Sequence, residues 1–184
     1  MLAVDHPDRK AVGGSGGAYW WHSPEDTLDK ADANILAEDI EVYVTIALRM
    51  CQPELIPYRF GPSAQDFISR LTAYQASAAG HLDLGSTLAA AQEYLAAAER
   101  LNATSLAGVE KCNDVAKEVT RLVNPVLFTV NGPYEMDPAL QSPVLPGLAP
   151  VAELSKLDPG SNEYRFLRAW LVRQQNRVED ALRQ

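Results

Sequence analysis

The stretch Tyr19-Trp20-Trp21-His22-Ser23-Pro24-Glu25-Asp26-Thr27-Leu28-Asp29-Lys30 separates an irregular leader from a succession of helical patterns. Two tryptophans beside a histidine, a Ser-Pro turn and the carboxylates of Glu25, Asp26 and Asp29 are the residue types of a site. Aromatic walls and acid-oriented imidazoles suit metal or ligand binding. The leader holds an apolar tetrapeptide, Met1 to Val4, a polar run from His6 to Lys10, and Gly13-Gly14-Ser15-Gly16-Gly17. That glycine run lacks the Gly-Lys-Ser/Thr ending of a phosphate-binding loop and reads as a flexible loop.

After the stretch, apolar residues recur at helical spacing. Asp32 is an N-cap for a helix carrying Ile35, Leu36, Ile40, Tyr43, Val44, Ala47 and Leu48, which stops by Gln52 because Pro53 disfavours a helical residue before it. Leu55 to Phe60, with Pro57 inside, reads as an extended crossing segment. The spacing predicts a second helix from Ser63, as a capping box, to Ala79, with Gly80 as a left-handed stop and Phe67, Leu71, Tyr74 and Ala78 inward. A third helix starts near Asp83 and ends around Asn102 to Thr104, with Leu84, Leu88, Ala91, Leu95, Ala98 and Leu101 along one side. A fourth begins at Ser105, places Leu106, Val109, Ala116, Val119 and Val123 on one face, and continues past a kink at Pro125 through the β-branched run to Val130.

Six prolines between residues 131 and 160 (Pro133, Pro138, Pro143, Pro146, Pro150 and Pro159) predict an ordered wrap over the bundle and exclude a long regular element. The last helix runs from Ser161 to about Arg183, with Tyr164, Leu167, Trp170, Leu171, Val178 and Leu182 inward. Arg165, Arg168, Arg173 and Arg177 point outward and are solvated or paired. The fold class that follows is all-α: a bundle of about five helices behind an irregular N-terminal leader, with residues 1–31 as leader and 32–184 as the helical domain.

The 184 residues are 47% hydrophobic, enough to bury a real core. A formal net charge of -8 and a pI near 4.8 argue against nucleic acid as a partner, whose affinity rests on clustered Lys and Arg. No apolar run approaches the roughly 20 residues that span a bilayer, and no basic region followed by an apolar core opens the chain. The sequence therefore points to neither membrane nor export. Cys51 and Cys112 are too few for a disulfide framework and read as free, buried thiols or a single bridge.

Three histidines are available for chemistry: His6, His22 and His81. His81 follows the stop at Gly80 as an ordinary loop residue. His6 and Asp8 form a His-x-Asp pair of metal-ligand type with low specificity. No nucleophile elbow, His-Glu-x-x-His or Cys/His zinc pattern occurs, so no complete catalytic set assembles from recognised spacings.

Trp21-His22-Ser23-Pro24-Glu25-Asp26-Thr27-Leu28-Asp29-Lys30 resembles the segment holding the final metal-binding histidine of dizinc aminopeptidases, a family that includes glutamate carboxypeptidase and the transferrin receptor. Leu55-Ile56-Pro57-Tyr58, the helix near Asp83, Asn113-Asp114, the proline-rich wrap and the final helix through Asn176-Arg177 resemble the transferrin-receptor-like dimerisation region in order and spacing. The resemblance runs from about residue 18 to the end. It implies His22 as a zinc ligand, Trp21 facing substrate, and Asp26 and Thr27 orienting the loop and starting the helix. It makes residues 1–31 the remnant of a catalytic domain and residues 32–184 a dimerisation domain.

The family's other ligands and its Glu-Glu pair have no counterparts here, and His6-Pro7-Asp8 falls in the wrong place to replace them. The resemblance thus implies a homodimeric helical scaffold of a zinc-dependent exopeptidase, inactive alone and binding no zinc stably alone. Two alternatives stand beside it. One is a zinc metallopeptidase, self-contained or completed by a partner, using His22 with His6, Asp8 and Glu25 or Asp26. The other is a receptor-like binding module without catalysis. Relatives are often extracellular or membrane-associated, and the sequence leaves the compartment open.

Overall fold

Asp32 begins the first helix for the reason its chemistry gives: in extended conformation, its Oδ1 accepts from the N–H groups of Asn34 at 2.8 Å and Ile35 at 3.3 Å. Two of the unpaired amides of a helix start are thereby satisfied. In the computed structural model, which describes residues 22–103, 108–132, 134–135 and 143–184, every regular element is helical and no strand occurs among the described residues. The protein is an all-α bundle, as its periodicity predicts. It divides into two compact units, Met1–Gln52 and Pro53–Gln184, so the first helix falls outside the unit that holds the others.

The described part of the first unit is a short 3₁₀ turn, Leu28–Lys30, and helix α1, Ala33–Cys51. Polar Asn34, Glu38, Glu41, Thr45 and Arg49 fall within about 80° of arc at 3.6 residues per turn, leaving about 240° that is apolar except for Asp39. An ordinary amphipathic helix carries an apolar stripe of roughly 100°. Even so, α1 buries no side chain: Ile35, Leu36, Ile40, Tyr43, Val44 and Leu48 are all exposed.

The second unit contains α2 (Phe60–Ser77), α3 (Gly85–Ala103), α4 (Val109–Phe128) and α5 (Asn162–Arg183). Helix α2 starts three residues before the expected capping box at Ser63. Pro62 sits in its first turn, where its missing N–H has no helical partner to lose. Ser63 instead donates to the Phe60 carbonyl at 2.8 Å. The stop is as predicted: Ala79 and Gly80 take positive φ (47° and 84°), and the His81 N–H returns to the Ala78 carbonyl at 2.8 Å. Phe67, Leu71, Tyr74 and Ala78 are all buried.

Helix α3 buries Thr87, Ala90, Ala91, Tyr94 and Ala98, while Leu88, Leu95 and Leu101 of the predicted stripe are only half-buried. The helix packs against both α2 and α5, so its small residues take the close approaches and its leucines cover the edges. The expected start of the fourth helix at Ser105-Leu106 lies outside the described residues. Helix α4 passes through Pro125, as expected, and ends at Phe128, two residues short of the expected Val130, because Thr129 is extended. The wrap forms an 11-residue 3₁₀ helix, Pro146–Lys156, longer than the proline density led us to expect, with Pro146 in its first turn and Pro150 inside. It buries Leu148, Val151 and Leu154 against α2, α4 and α5. Gly147 lies close under Gln174, whose Oε1 would stand 2.7 Å from a Cβ there, so a larger residue requires the glutamine side chain to move aside.

Side-chain hydrogen bonds tie the turns to this core. Gln75 accepts from the Leu84 N–H, and Gln175, buried on α5, donates to the Asp83 carbonyl at 2.9 Å. Asn113 on α4 accepts from the Ile56 N–H and donates to the Glu54 carbonyl, both at 2.8 Å, fixing the crossing segment before α2. Arg177 does not point outward with the other arginines. Half-buried, it donates to the Pro125 carbonyl in the last turn of α4 (3.0 Å) and to the carbonyls of Val130 (2.9 Å) and Asn131 (3.1 Å) just beyond the helix, and so ties the exit from α4 to α5. No buried side-chain nitrogen or oxygen among the described residues lacks a partner.

Candidate functional site

His22 has φ +62°, a left-handed conformation that histidine tolerates better than most residues, and it is exposed. The chain then turns back on itself. Ser23 Oγ accepts from the Glu25 N–H at 3.2 Å and the Ser23 carbonyl accepts from the Asp26 N–H at 3.1 Å, the pattern of a Ser-initiated turn. Thr27 is the extended residue before the 3₁₀ turn, and its hydroxyl donates to the Glu25 carbonyl at 3.3 Å and to Asp29 Oδ1. The Lys30 ammonium beside Asp29, and after it the Thr27 hydroxyl, hold the Asp29 carboxyl below its ordinary pKa. The 3₁₀ turn ends at Lys30, two residues before the cap of α1, so the whole segment is a short lead into that helix.

Of the residues proposed for this site, His22, Glu25, Asp26 and Thr27 are therefore within one tight, exposed turn. Trp21, His6 and Asp8 lie outside the described residues. A catalytic zinc takes three protein ligands and an open position. Among the described residues no group of three or more His, Cys, Asp or Glu side chains is placed to hold a metal ion. The donor set of this turn, a single imidazole beside carboxylates, does not fit a catalytic zinc.

The other histidine of the described region is a structural joint. His81 Nδ1 lies 3.1 Å from Tyr164 Oη with the rings edge to face, and its carbonyl accepts from Arg168 Nε at 3.4 Å. The two cysteines are free thiols, with Cys51 exposed and Cys112 half-buried, so neither is the buried core residue expected. Each lies on a helix flank, Cys51 in the last turn of α1 and Cys112 in the first turn of α4, where packing leaves them partly open.

One concavity in the second unit went unnoticed in the sequence. Helices α3 and α4 each pack against α5 but scarcely against each other, leaving a cleft of about 800 Å³. Its walls include Ala97 and Leu101 of α3 and Val115, Val119 and Leu122 of α4, with the last turn of α5 at its edge. Tyr94 lies against it, its hydroxyl 3.3 Å from Ser63 Oγ and its ring edge to face with Phe67. Burial raises the Tyr94 phenol above its ordinary pKa, an effect its Ser63 contact partly offsets. Three charged residues rim the cleft: Glu93 and Arg100 of α3, and Arg183, which pairs with Glu93 at 3.4 Å. The signal for them was a seven-residue spacing of opposite charges on one helix face, which an analysis of apolar stripes passes over.

Fold and site together define a class, an all-helical bundle protein with an exposed histidine turn leading into an apolar helix. No family model, curated protein or solved structure matches the chain. No helix among the described residues is long and apolar enough to cross a membrane.

Proposed function

We propose that the chain is the C-terminal helical dimerisation and scaffold part of a zinc-dependent aminopeptidase-like protein, homodimeric through its bundle and without peptidase activity alone. The observation that carries the reading is α1. Directly after the turn bearing His22 comes a helix apolar over about two thirds of its circumference that buries nothing among the described residues. Such a helix suits one layer of a larger domain, where it is covered from more than one side. The resemblance of Trp21 to Lys30 to the final-ligand segment of dizinc aminopeptidases supplies the identity of that domain. In this reading Asp26 and Thr27 shape the turn and lead into the 3₁₀ turn, Trp21 faces substrate, and His22 contributes one ligand to a centre whose remaining ligands come from elsewhere. Residues 1–31 then belong with catalysis and residues 32–184 with the helical domain, except that α1 at its head, which falls in the unit Met1–Gln52, is the helix that the catalytic domain would cover.

Sedimentation velocity of the 184-residue chain, paired with zinc analysis after dialysis and an aminoacyl-anilide assay, tests this. The expected result is a dimer with substoichiometric zinc and no turnover. A strict monomer at high concentration counts against the scaffold reading. Stoichiometric zinc with turnover abolished by His22→Ala replaces it with a metallopeptidase that uses His22.

A further inference from the structure

The cleft between α3 and α4 has a rim that is complementary to itself. Glu93 and Arg100 are seven residues apart on α3, two turns and about 10 Å along its axis, with exposed Ala97 between them on the same face. If a second α3 lies antiparallel across this face about a two-fold axis near Ala97, Glu93 of each copy stands opposite Arg100 of the other. That is the reciprocity an isologous interface requires. A small residue at the crossing lets the two backbones approach closely, and the apolar wall of Val115, Val119 and Leu122 receives the second helix. By symmetry, the first α3 seats on the matching wall of the other copy.

We infer that this cleft is the dimer seam of the protein, filled by α3 of a second copy, with two Glu93–Arg100 ion pairs across a crossing at Ala97. The inference rests on the homodimeric reading above and assigns it a surface. Charge decides between occupants. A rim carrying Glu93 among Arg100 and Arg183 is poorly suited to an anionic lipid surface, which would draw a uniformly basic one. The second copy supplies both signs at the required spacing. Both charges exchange an existing interaction for the seam: Glu93 gives up its contact with Arg183, a pair of exposed side chains of the kind that contributes little, and exposed Arg100 likewise exchanges a contact of its own.

The test is charge exchange on the full chain, read by sedimentation velocity over a concentration series, with far-UV circular dichroism to verify that each variant is folded. Arg100→Glu and Glu93→Arg each place like charges across the seam and are expected to weaken dimerisation by about tenfold or more. The double variant Glu93→Arg/Arg100→Glu restores opposite charges and is expected to return to within about threefold of the parent. Ala97→Trp, which obstructs the crossing without touching charge, is expected to yield monomer. A parent dimer indifferent to Ala97→Trp and to both charge reversals overturns this seam while leaving the homodimer standing. Single variants that weaken a dimer the double variant fails to restore overturn the ion pairs. A parent that is monomeric throughout overturns the seam and the homodimer together.

Discussion

Helix α5 is more polar than α1, yet it buries Leu171, Gln175, Val178 and Leu182, whereas apolar α1 buries nothing. The difference lies in how each sequence distributes its apolar residues. Those of α5 centre on one stripe, along which Leu171, Val178 and Leu182 are buried against the elements of its own unit while Tyr164, Leu167 and Trp170 are half-buried at its margin. Those of α1 cover most of the cylinder, more than any single neighbouring helix can shield. A narrow stripe specifies a partner within a unit; a broad one specifies surroundings.

The sharpest way to break this contrast is to shorten one leucine or isoleucine in each helix. Leu171→Ala empties a fully buried position and is expected to destabilise the bundle by about 3 kcal/mol. Ile40→Ala, at a residue 51% exposed, is expected to cost less than about 0.5 kcal/mol. Urea denaturation measures both, and equal losses would mean that α1 is packed as tightly as α5.

Arg177→Met keeps the aliphatic stem of the side chain and removes the tie at the exit from α4. Its expected cost is about 2 kcal/mol, since three carbonyls lose a charged donor in a half-buried position. Asp32→Ala removes the two cap bonds of α1 and is expected to weaken that helix by about 1 kcal/mol. The loss should appear in the amide exchange of Asn34 and Ile35 and leave the bundle's urea midpoint unmoved.

The smallest effect is alkaline. Burial raises the phenols of Tyr74, despite Arg70 beside it, and of Tyr94 above the ordinary 10.0, so the unfolded chain releases these protons first. Their contribution to stability is intact below pH 10 and is lost as pH rises through the folded values. Thermal melts of Tyr74→Phe/Tyr94→Phe between pH 9 and 11 should show a flatter decline than the parent.

Local chemistry made much of this fold legible. Asp32, Pro53 and Gly80 mark boundaries because a cap, a blocked conformation and a left-handed residue act within a few positions of themselves. Side-chain burial was legible where the large residues of one stripe take the centre of the contact, as at Phe67, Leu71 and Tyr74 of α2. On α3, which touches two helices, the alanines rather than the leucines took the centre. Arg177 could not be placed from its spacing, because the carbonyls it satisfies, one in the last turn of α4 and two just beyond it, lie some fifty residues earlier. Ser63 misled for a related reason: a serine followed by an acid marks a cap only when the helix has not already begun. As for the site, the turn chemistry of Ser23 to Asp29 could be read from residue types, while the partners of a metal-binding histidine are set by tertiary placement that no local motif encodes.

The clamp of Arg177 also governs how the bundle can come apart. By holding the Pro125 carbonyl in the last turn of α4 together with the Val130 and Asn131 carbonyls just beyond it, from the C-terminal half of α5, it opposes the independent fraying that helix ends normally show. The two helices then open as one cooperative unit. Amides near Val126 and Leu127 should exchange with solvent at the slow rate of the core of α5, and a chain that has lost that cooperation would lose one wall of the cleft.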